Sequence, residues 1–407
     1  MTRNANDVVI VGYARTAFDK FGGVCRDIPS SRLAELTIRE LLRRTGVTAE
    51  SIDDVNVGMT MLLEAGTQTD VIARQALLRA GLKPETISNT IDRACCSATS
   101  ALQQSWKNLV LGEAEISIAI GVDNMSRVPV YLPSQVRWQG SRIGNVEMID
   151  MLNELQIPGF GIVAVDAGEV AVEYDITREM QDEWSVRSHE KYLEALAKGY
   201  IDDEIFPIEV PQGKNKAPVI FDKDAGPRPG TNIEALSKLR TVYGSPTVTG
   251  GNAPGLSTGA AGVLITTRKK AEELGLEVLG TVIKVQNVAL KDRYIAVAPA
   301  VAIKSALEAT GLTLDDIKCI EINEAFAAMP LVSTKILGED NPEKIQKLRD
   351  ITNIDGGAVA LGHPVGASGL RITMHAMNVL RRQGGGYAMV AICGGLAQGD
   401  AVVIRVD

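Results

Sequence analysis

One pattern governs what this chain can fold into. Short apolar runs alternate with helix-period segments, first over residues 8–122 and again over 260–406, and a stretch of different texture separates the two. Val8–Val11, Val55–Met59, Thr86–Ile91 and Ile116–Val122 read as strands. Ser31–Thr45, Asp70–Ala80 and the face Ala98, Leu102, Trp106, Leu109 read as helices, the last two stopped by Gly81 and Gly112. From Ser126 to Thr247 prolines, glycines and charges dominate, and only Arg178–Lys198 carries a clear helical period. The alternation resumes through Ala260–Glu273, Val278–Val288, Ala298–Thr310, Lys318–Ile322, Asp350–Ile354, Leu370–Arg382, Ala388–Cys393 and Ala401–Val406. Such alternation means layered α/β architecture.

The two stretches repeat one another in order. Thr86–Ile91 feeds ACCSATSAL, and Ile351–Ile354 feeds DGGAVALGHPVGASGL. Each small-residue loop is followed by a helix and then by a buried strand. The expectation is a duplicated core with ligand chemistry where the loops of the two halves meet. Its parts are 1–125 plus 248–276, an inserted segment 126–247, and 277–407.

Composition narrows the class. A net charge of −8 without a long Lys/Arg run disfavours nucleic acid, and no apolar run reaches the length of a membrane span. MTRNANDVVIVGYARTAF reads as an opening strand and lacks a cleavable leader pattern. Five scattered cysteines without a C-x-x-C pair suggest neither a disulfide framework nor a metal site, and point to a reducing cytoplasm. Neither G-x-x-x-x-G-K-[ST] nor G-x-G-x-x-G stands between a strand and a helix, which disfavours ATP and NAD.

Three segments carry chemistry: DRACCSAT (Asp92–Thr99), NEAF with GGAVALGHPVGASG (Asn323–Phe326 and 356–369), and AICGGLAQG (391–399). Cys95 falls at a helix start, where unpaired N–H groups favour a thiolate. Cys96, about 100° further round, turns toward the core. His363 lies in a glycine-flanked turn, placed as a general base; His189 reads as solvated and His375 as packed or at the surface. Cys393 ends an apolar strand that opens into glycines whose N–H groups suit an oxyanion. Asn323 could hold a water or a carbonyl, or serve as a helix cap.

Together these segments resemble the thiolase family over essentially the whole chain. VGYARTAFDKFGG, NTIDRACCSATSAL, VDNMSRVP, the ITREMQDEWSVRSHEKYLEAL region, RPGTNIEALSKL, NEAFA, GGAVALGHPVGASG and CGGLAQG match its blocks in order. The resemblance implies a duplicated five-layer α/β/α/β/α fold whose inserted loop domain binds coenzyme A, in a homodimer or dimer of dimers. It implies an acyltransferase that cleaves a 3-oxoacyl-CoA with free CoA, or runs the reverse condensation. CoA is then a substrate, and no further cofactor is called for. Cys95 would be the nucleophile, His363 its base and Cys393 the second acid/base. Asn323 would hold a water beside His363 in one oxyanion hole, with the N–H groups of Cys95 and Gly395 in the other.

The chain departs from the family where the substrate would lie. Ala253-Pro254-Gly255 stands for A-S-G, Gly159-Phe160-Gly161 for H-M-G, and Leu396 and Ala397 lie where C-x-G-G-G-x-G is usual. Phe160, Pro254, Phe326 and Leu396 are therefore expected to line a remodelled acyl pocket, suited to a branched or aryl-substituted acyl group. Benzoylsuccinyl-CoA, handled by a thiolase-like subunit with a small zinc-binding OB-type partner, is one such case. An ordinary acetyl-CoA C-acetyltransferase is the alternative. A 3-ketoacyl synthase lacks the second cysteine, and the Pro254 and Leu396 replacements keep open an alternative of another class, a non-catalytic acyl-CoA-binding scaffold subunit.

Overall fold

The computed structural model describes residues 3–64, 71–141, 143–153, 159–214 and 216–407. In the first half, strands β1 (Val8–Thr16), β2 (Asp54–Gly58), β3 (Ile87–Ile91) and β4 (Ile116–Asn124) alternate with helices α1 (Ser30–Thr45), α2 (Ile72–Ala80) and α3 (Ser97–Leu111). Asp70, expected to open the second helix, lies outside the described residues. Helices α4 (Val163–Glu173) and α5 (Arg178–Ala197) follow in the middle segment. The core then continues with β5 (Ser257–Thr267), β6 (Gly280–Ala289), α6 (Ala298–Thr310), β7 (Ile317–Ile322), α7 (Ala328–Leu337), α8 (Ser368–Arg382), β8 (Gly386–Gly394) and β9 (Gln398–Val406).

Pairing makes the duplication visible. The first half runs β3-β2-β4-β5-β1 and the second β7-β8-β9-β6, and each has parallel strands at one edge and antiparallel ones inward. The two sheets join edge to edge where Val9 and Ile10 pair with Thr281 and Gly280. One expected strand is missing: 350–354 makes only a bridge from Thr352 to Ile320. Asn353 adopts a left-handed conformation, φ 47°, and its side chain bonds the Ile322 N–H and carbonyl, taking the place of a ladder.

Three apolar cores separate five layers. Leu33, Ile38 and Leu41 of α1 pack on Val55, Val57 and Ile118. Ala300, Ile303 and Leu307 of α6 pack with Ile320 and Val403 at the other outer face. Between the sheets, Ala98 and Leu102 of α3 and Leu370 and Ile372 of α8 meet Val390 and Val402. Each fully buried Leu or Ile contributes about 1.5–3 kcal/mol of transfer free energy, so each interlayer is a substantial core. The layer order is the expected α/β/α/β/α, with α3 and α8 sandwiched between the two sheets.

The middle segment holds a second helix that periodicity did not reveal. α4 is rich in Val and Ala, and Ala164, Ala167, Val170 and Ala171 bury into the second-half core. The segment is tied to the core by buried charge. Arg15 bonds Glu204 at 2.9 Å and Asp224 at 2.9 Å, and Tyr192 also bonds Asp224. His189, read as solvated, is buried instead, its Nδ1 accepting from the Arg228 N–H at 3.2 Å. His375 is packed against Glu204 and Asp355; burial opposes its charge, but the two carboxylates outweigh it and hold the imidazolium up to about 10.

Candidate active site

The loops after corresponding strands of the two halves meet at one place. The turn after β3 carries Cys95, the residue after β7 is Asn323, the loop after the 352 bridge carries His363, and Cys393 is the last but one residue of β8. Cys95 Sγ lies 3.4 Å from His363 Nε2, and Asn323 Nδ2 lies 3.4 Å from the same nitrogen. Gly395 follows Cys393 by two residues, and a Cβ there would stand 3.2 Å from the Cβ of Ala94. The two cysteine-bearing turns are therefore in contact.

The nucleophile turn is held from below. Ala94 sits at φ 50°, a conformation that costs a non-glycine residue about 1–2 kcal/mol. Its carbonyl accepts from Thr60 Oγ1 at 2.9 Å and Ser97 Oγ at 2.6 Å. Helix α3 starts only at Ser97, so Cys95 stands just outside it. Cys96 is fully buried, as its angular offset predicted, with its thiol directed at the Ile392 carbonyl.

His363 is fixed at three points. Its N–H donates to Ser257 Oγ at 3.1 Å, and its Nδ1 lies 2.6 Å from Ser368 Oγ. Ser368 directs its own hydroxyl at the Pro364 carbonyl, 3.1 Å away, so its oxygen accepts from Nδ1–H. That assigns the proton to Nδ1 and leaves the Nε2 lone pair facing the Cys95 thiol. Gly362 is required by this approach: at φ 103° it would place a Cβ 2.3 Å from Ser257 Oγ.

Electrostatics corrects one expectation. Cys95 keeps a partly open face, yet burial, then Cys393 and the carboxylates of Asp123 and Asp92, push its thiol well up. Burial, with Arg371 adding to it, pushes the His363 imidazole down to about 3. Burial likewise raises Cys393 to about 12. The resting groups are a neutral thiol, a neutral imidazole and a second neutral thiol. The helix terminus does not make Cys95 a standing thiolate, because the sulfur lies two residues outside the helix among groups that disfavour its charge.

Asn323 is fully buried, and its Oδ1 has no hydrogen-bond partner among the described residues. A buried amide oxygen left unpaired beside a reactive imidazole fits a bound water or ligand. Glu324 next to it holds the strand end in place. Its carboxylate accepts from Trp184 Nε1 (2.8 Å), Ser188 Oγ (2.8 Å), Asn353 Nδ2 (3.0 Å) and the Val359 N–H (3.0 Å). Asp123, at the end of β4, accepts from the Thr60, Met61 and Gly366 N–H groups, and burial raises it to about 7.

The expected pocket residues divide. Leu396 stands in the turn after Cys393 at φ 59° and is partly buried, but joins none of the apolar cores. Pro254 is partly buried two residues before Leu256, which bridges to His363. Phe326 packs partly into the second-half core, and Phe160 is 49% exposed on the middle segment. Ser257, Ser368, Asp123 and Glu324 escaped sequence reasoning as supports of the site. Only the acidic residue closing an apolar strand in GVDN was a usable signal.

A thiol within reach of an oriented neutral imidazole, beside a buried amide and a second thiol, brings together the groups that acyl transfer through a thioester would need. The comparisons agree. Residues 8–269 match the family description "Thiolase, N-terminal domain" and 276–406 "Thiolase, C-terminal domain". The chain belongs to the thiolase family and is an acyltransferase of that family. It is 37% identical over 409 residues to the beta-ketothiolase BktB of Cupriavidus necator, with 100% of each chain covered. It is 35% identical to an acetyl-CoA acetyltransferase of Pseudomonas aeruginosa, covering 98% of this chain and 100% of that one. Its structure superposes on the Bacillus anthracis acetyl-CoA acetyltransferase with a TM-score of 0.91 at 34% identity, covering 98% of each. Human mitochondrial 3-ketoacyl-CoA thiolase in complex with CoA gives 0.89 at 32% identity, covering 99% of this chain and 98% of that one. No helix among the described residues is long and apolar enough to cross a membrane.

Proposed function

We propose that the chain cleaves a 3-oxoacyl-CoA with free CoA, or runs the reverse condensation, through a thioester on Cys95. The observation that carries this reading is the 3.4 Å approach of Cys95 Sγ to the Nε2 lone pair of His363. Cys95–SH gives its proton to Nε2 as sulfur attacks the C3 ketone. The alkoxide collapses, the C2–C3 bond breaks, and its electron pair leaves on C2 as the enolate of acetyl-CoA. Cys393–SH protonates C2. Incoming CoA–SH then passes its proton to the Cys393 thiolate, and the CoA thiolate attacks the thioester. Cys95 leaves as thiolate and recovers its proton from His363.

Two donor sets suit the oxyanions: a water on Asn323 beside His363, and the N–H groups of Cys95 and Gly395. Segment 126–247 would hold CoA between halves 1–125 plus 248–276 and 277–407. The strained, core-free Leu396, with Pro254, supports a branched or aryl-substituted acyl group such as that of benzoylsuccinyl-CoA; Phe326 and Phe160 would complete the wall. The names of several relatives favour a second reading, an ordinary acetyl-CoA C-acetyltransferase. A homodimer or dimer of dimers fits the free edge of β3, where Ile87 is 65% exposed. The free cysteines suit a reducing compartment such as the cytoplasm.

The test is acid-quenched mass spectrometry after incubation with acyl-CoA. The expected result is an acyl adduct on Cys95 that free CoA discharges, with discharge lost in Cys393→Ala. Absence of an adduct with every CoA ester tried, aliphatic and aromatic, would overturn the reading.

A further inference from the structure

The two sulfurs stand on different halves of the molecule, Cys95 on a turn and Cys393 one residue before the end of β8, paired with Gly399. Something must set the gap between them. Arg93, two residues before Cys95, reaches across to the strand after Cys393. Its Nη1 donates to both oxygens of Asp400 at 3.0 Å and to Ser100 Oγ at 2.7 Å, and its Nε donates to Gln398 Oε1 at 3.0 Å. Asp400 is fully buried in β9, directly opposite Ile392. Its carboxylate also accepts from Thr99 Oγ1 and Asn287 Nδ2, both at 2.6 Å. The Arg93 carbonyl accepts from the Cys96 N–H at 3.1 Å and would lie 3.1 Å from a Cβ on Gly394. One arginine thus joins the nucleophile turn, α3 and the hairpin that carries Cys393.

An ion pair that buries its carboxylate is a poor way to gain stability, here with the arginine side chain left 25% exposed. Well-packed apolar residues of similar volume usually serve as well or better, because the buried charge must be stripped of water. What a guanidinium offers instead is a planar fork that sets distance and direction together. We propose that the Arg93–Asp400 pair is a positioning device that fixes the spacing of Cys95 and Cys393 across the two halves of the fold. This rests on the roles assigned above to the two sulfurs. Attack of the Cys95 thiol on a small alkylating agent draws on Cys95 and His363 alone, whose side chains the pair does not touch, whereas acylation from acetyl-CoA would also use Cys393 on the departing CoA thiolate. Proton transfer at C2 needs Cys393 set accurately against the acyl group on Cys95. Misplacement by about 1 Å can cost about a hundredfold in rate, so that proton transfer is the sensitive step.

The experiment compares two readouts in Asp400→Asn and Arg93→Lys. Alkylation of Cys95 by iodoacetamide, which does not involve Cys393, is followed by quench and mass spectrometry. Exchange of the methyl hydrogens of acetyl-CoA for deuterium in heavy water is followed by NMR. Alkylation is expected within about threefold of the parent, while exchange falls at least about tenfold. Equal loss of both rates, or loss of neither, would overturn the proposal. The double variant Arg93→Met/Asp400→Leu removes both charges together, so its melting temperature is expected to hold or rise while exchange stays low. Parental exchange in that variant would show that packing alone suffices, and would refute the proposal. Cys393→Ala separates the two failures: parental exchange there overturns the sulfur roles, and the positioning claim falls with them.

Discussion

Replacing Ser368 by alanine asks whether the tautomer of His363 is set by a single hydroxyl. The hydroxyl oxygen lies 2.6 Å from Nδ1 inside a site where Ser368 is 1% exposed, so no bulk water can replace it. A buried donor that loses its partner costs about 1–3 kcal/mol, and here that cost falls only on the tautomer carrying its proton on Nδ1. The population with a free Nε2 lone pair drops correspondingly, from about fivefold to more than a hundredfold, since about 1.36 kcal/mol is a factor of ten. Rapid-quench measurement of Cys95 acylation at saturating acyl-CoA should show that loss in the rate constant. KM should stay near the parent value, because Ser368 acts through His363 and not on the substrate. An acylation rate within twofold of the parent, or a loss confined to KM, would refute the assignment.

Labelled-histidine NMR between pH 5 and 8.5 should find His363 neutral throughout, since burial holds it at about 3, and His375 cationic throughout. A His363 titration near 6.5 would contradict the neutral resting pair. The His375–Glu204 pair sets the pH limits of stability. Burial opposes both charges, but His375 and Arg15 hold Glu204 down to about 2, and the carboxylates hold His375 up to about 10. A raised imidazole stabilises fully below its unfolded value of about 6.5 and loses that contribution up to about 10. A depressed carboxylate loses its own as pH falls from about 4.5 toward about 2. Denaturation midpoints should therefore decline from pH 7 to 10 in the parent and stay flatter in His375→Gln. Leu396→Gly relieves about 1–2 kcal/mol of left-handed strain and adds about 0.5–1 kcal/mol of chain entropy cost, so its melting temperature should barely move. Its kcat/KM ratio between branched and linear acyl-CoA esters should shift about tenfold; an unchanged ratio would remove Leu396 from the pocket.

The central strands were legible because both of their faces are covered, so they read as continuous apolar runs. Ile116–Val122 was expected and Ile116–Asn124 found. The expected strand at 350–354 failed for a local reason, since the Asn353 side chain supplies the bonds that a ladder would have made. Helix α4 was missed because VAVDAGEVAVE mixes β-branched and small residues without a clean polar face. Cys95, His363 and Cys393 could be singled out as candidates because titratable side chains flanked by small residues have little packing to do, and the structure brings Cys95 beside His363. Their supports could not. Ser257 and Ser368 are ordinary serines until Gly362 lets one approach and a helix start presents the other. Arg93 and Asp400 are separated by most of the chain. Hydroxyl and ion-pair partners of this kind are chosen by tertiary approach, which no local pattern encodes.

The resting charge state explains why so much of the site is buried and strained. A standing thiolate on Cys95 would be the stronger nucleophile, but it would need charged or hydrated neighbours, and water would then also reach the thioester. Burial instead favours neutral thiols and a neutral imidazole, so on the proposed mechanism charge would appear only as Cys95 attacks and its proton moves to Nε2. That arrangement places the catalytic demand on geometry. Of the nine non-glycine residues with positive φ among those described, Ala94, Leu396 and Ala397 lie in the two sulfur-bearing turns, and Asn353 braces the strand end that carries Asn323. Strain gathered there, and held by Thr60, Ser97 and the Arg93–Asp400 pair, is what a neutral, preorganised site requires: reacting atoms fixed before any charge exists to attract them.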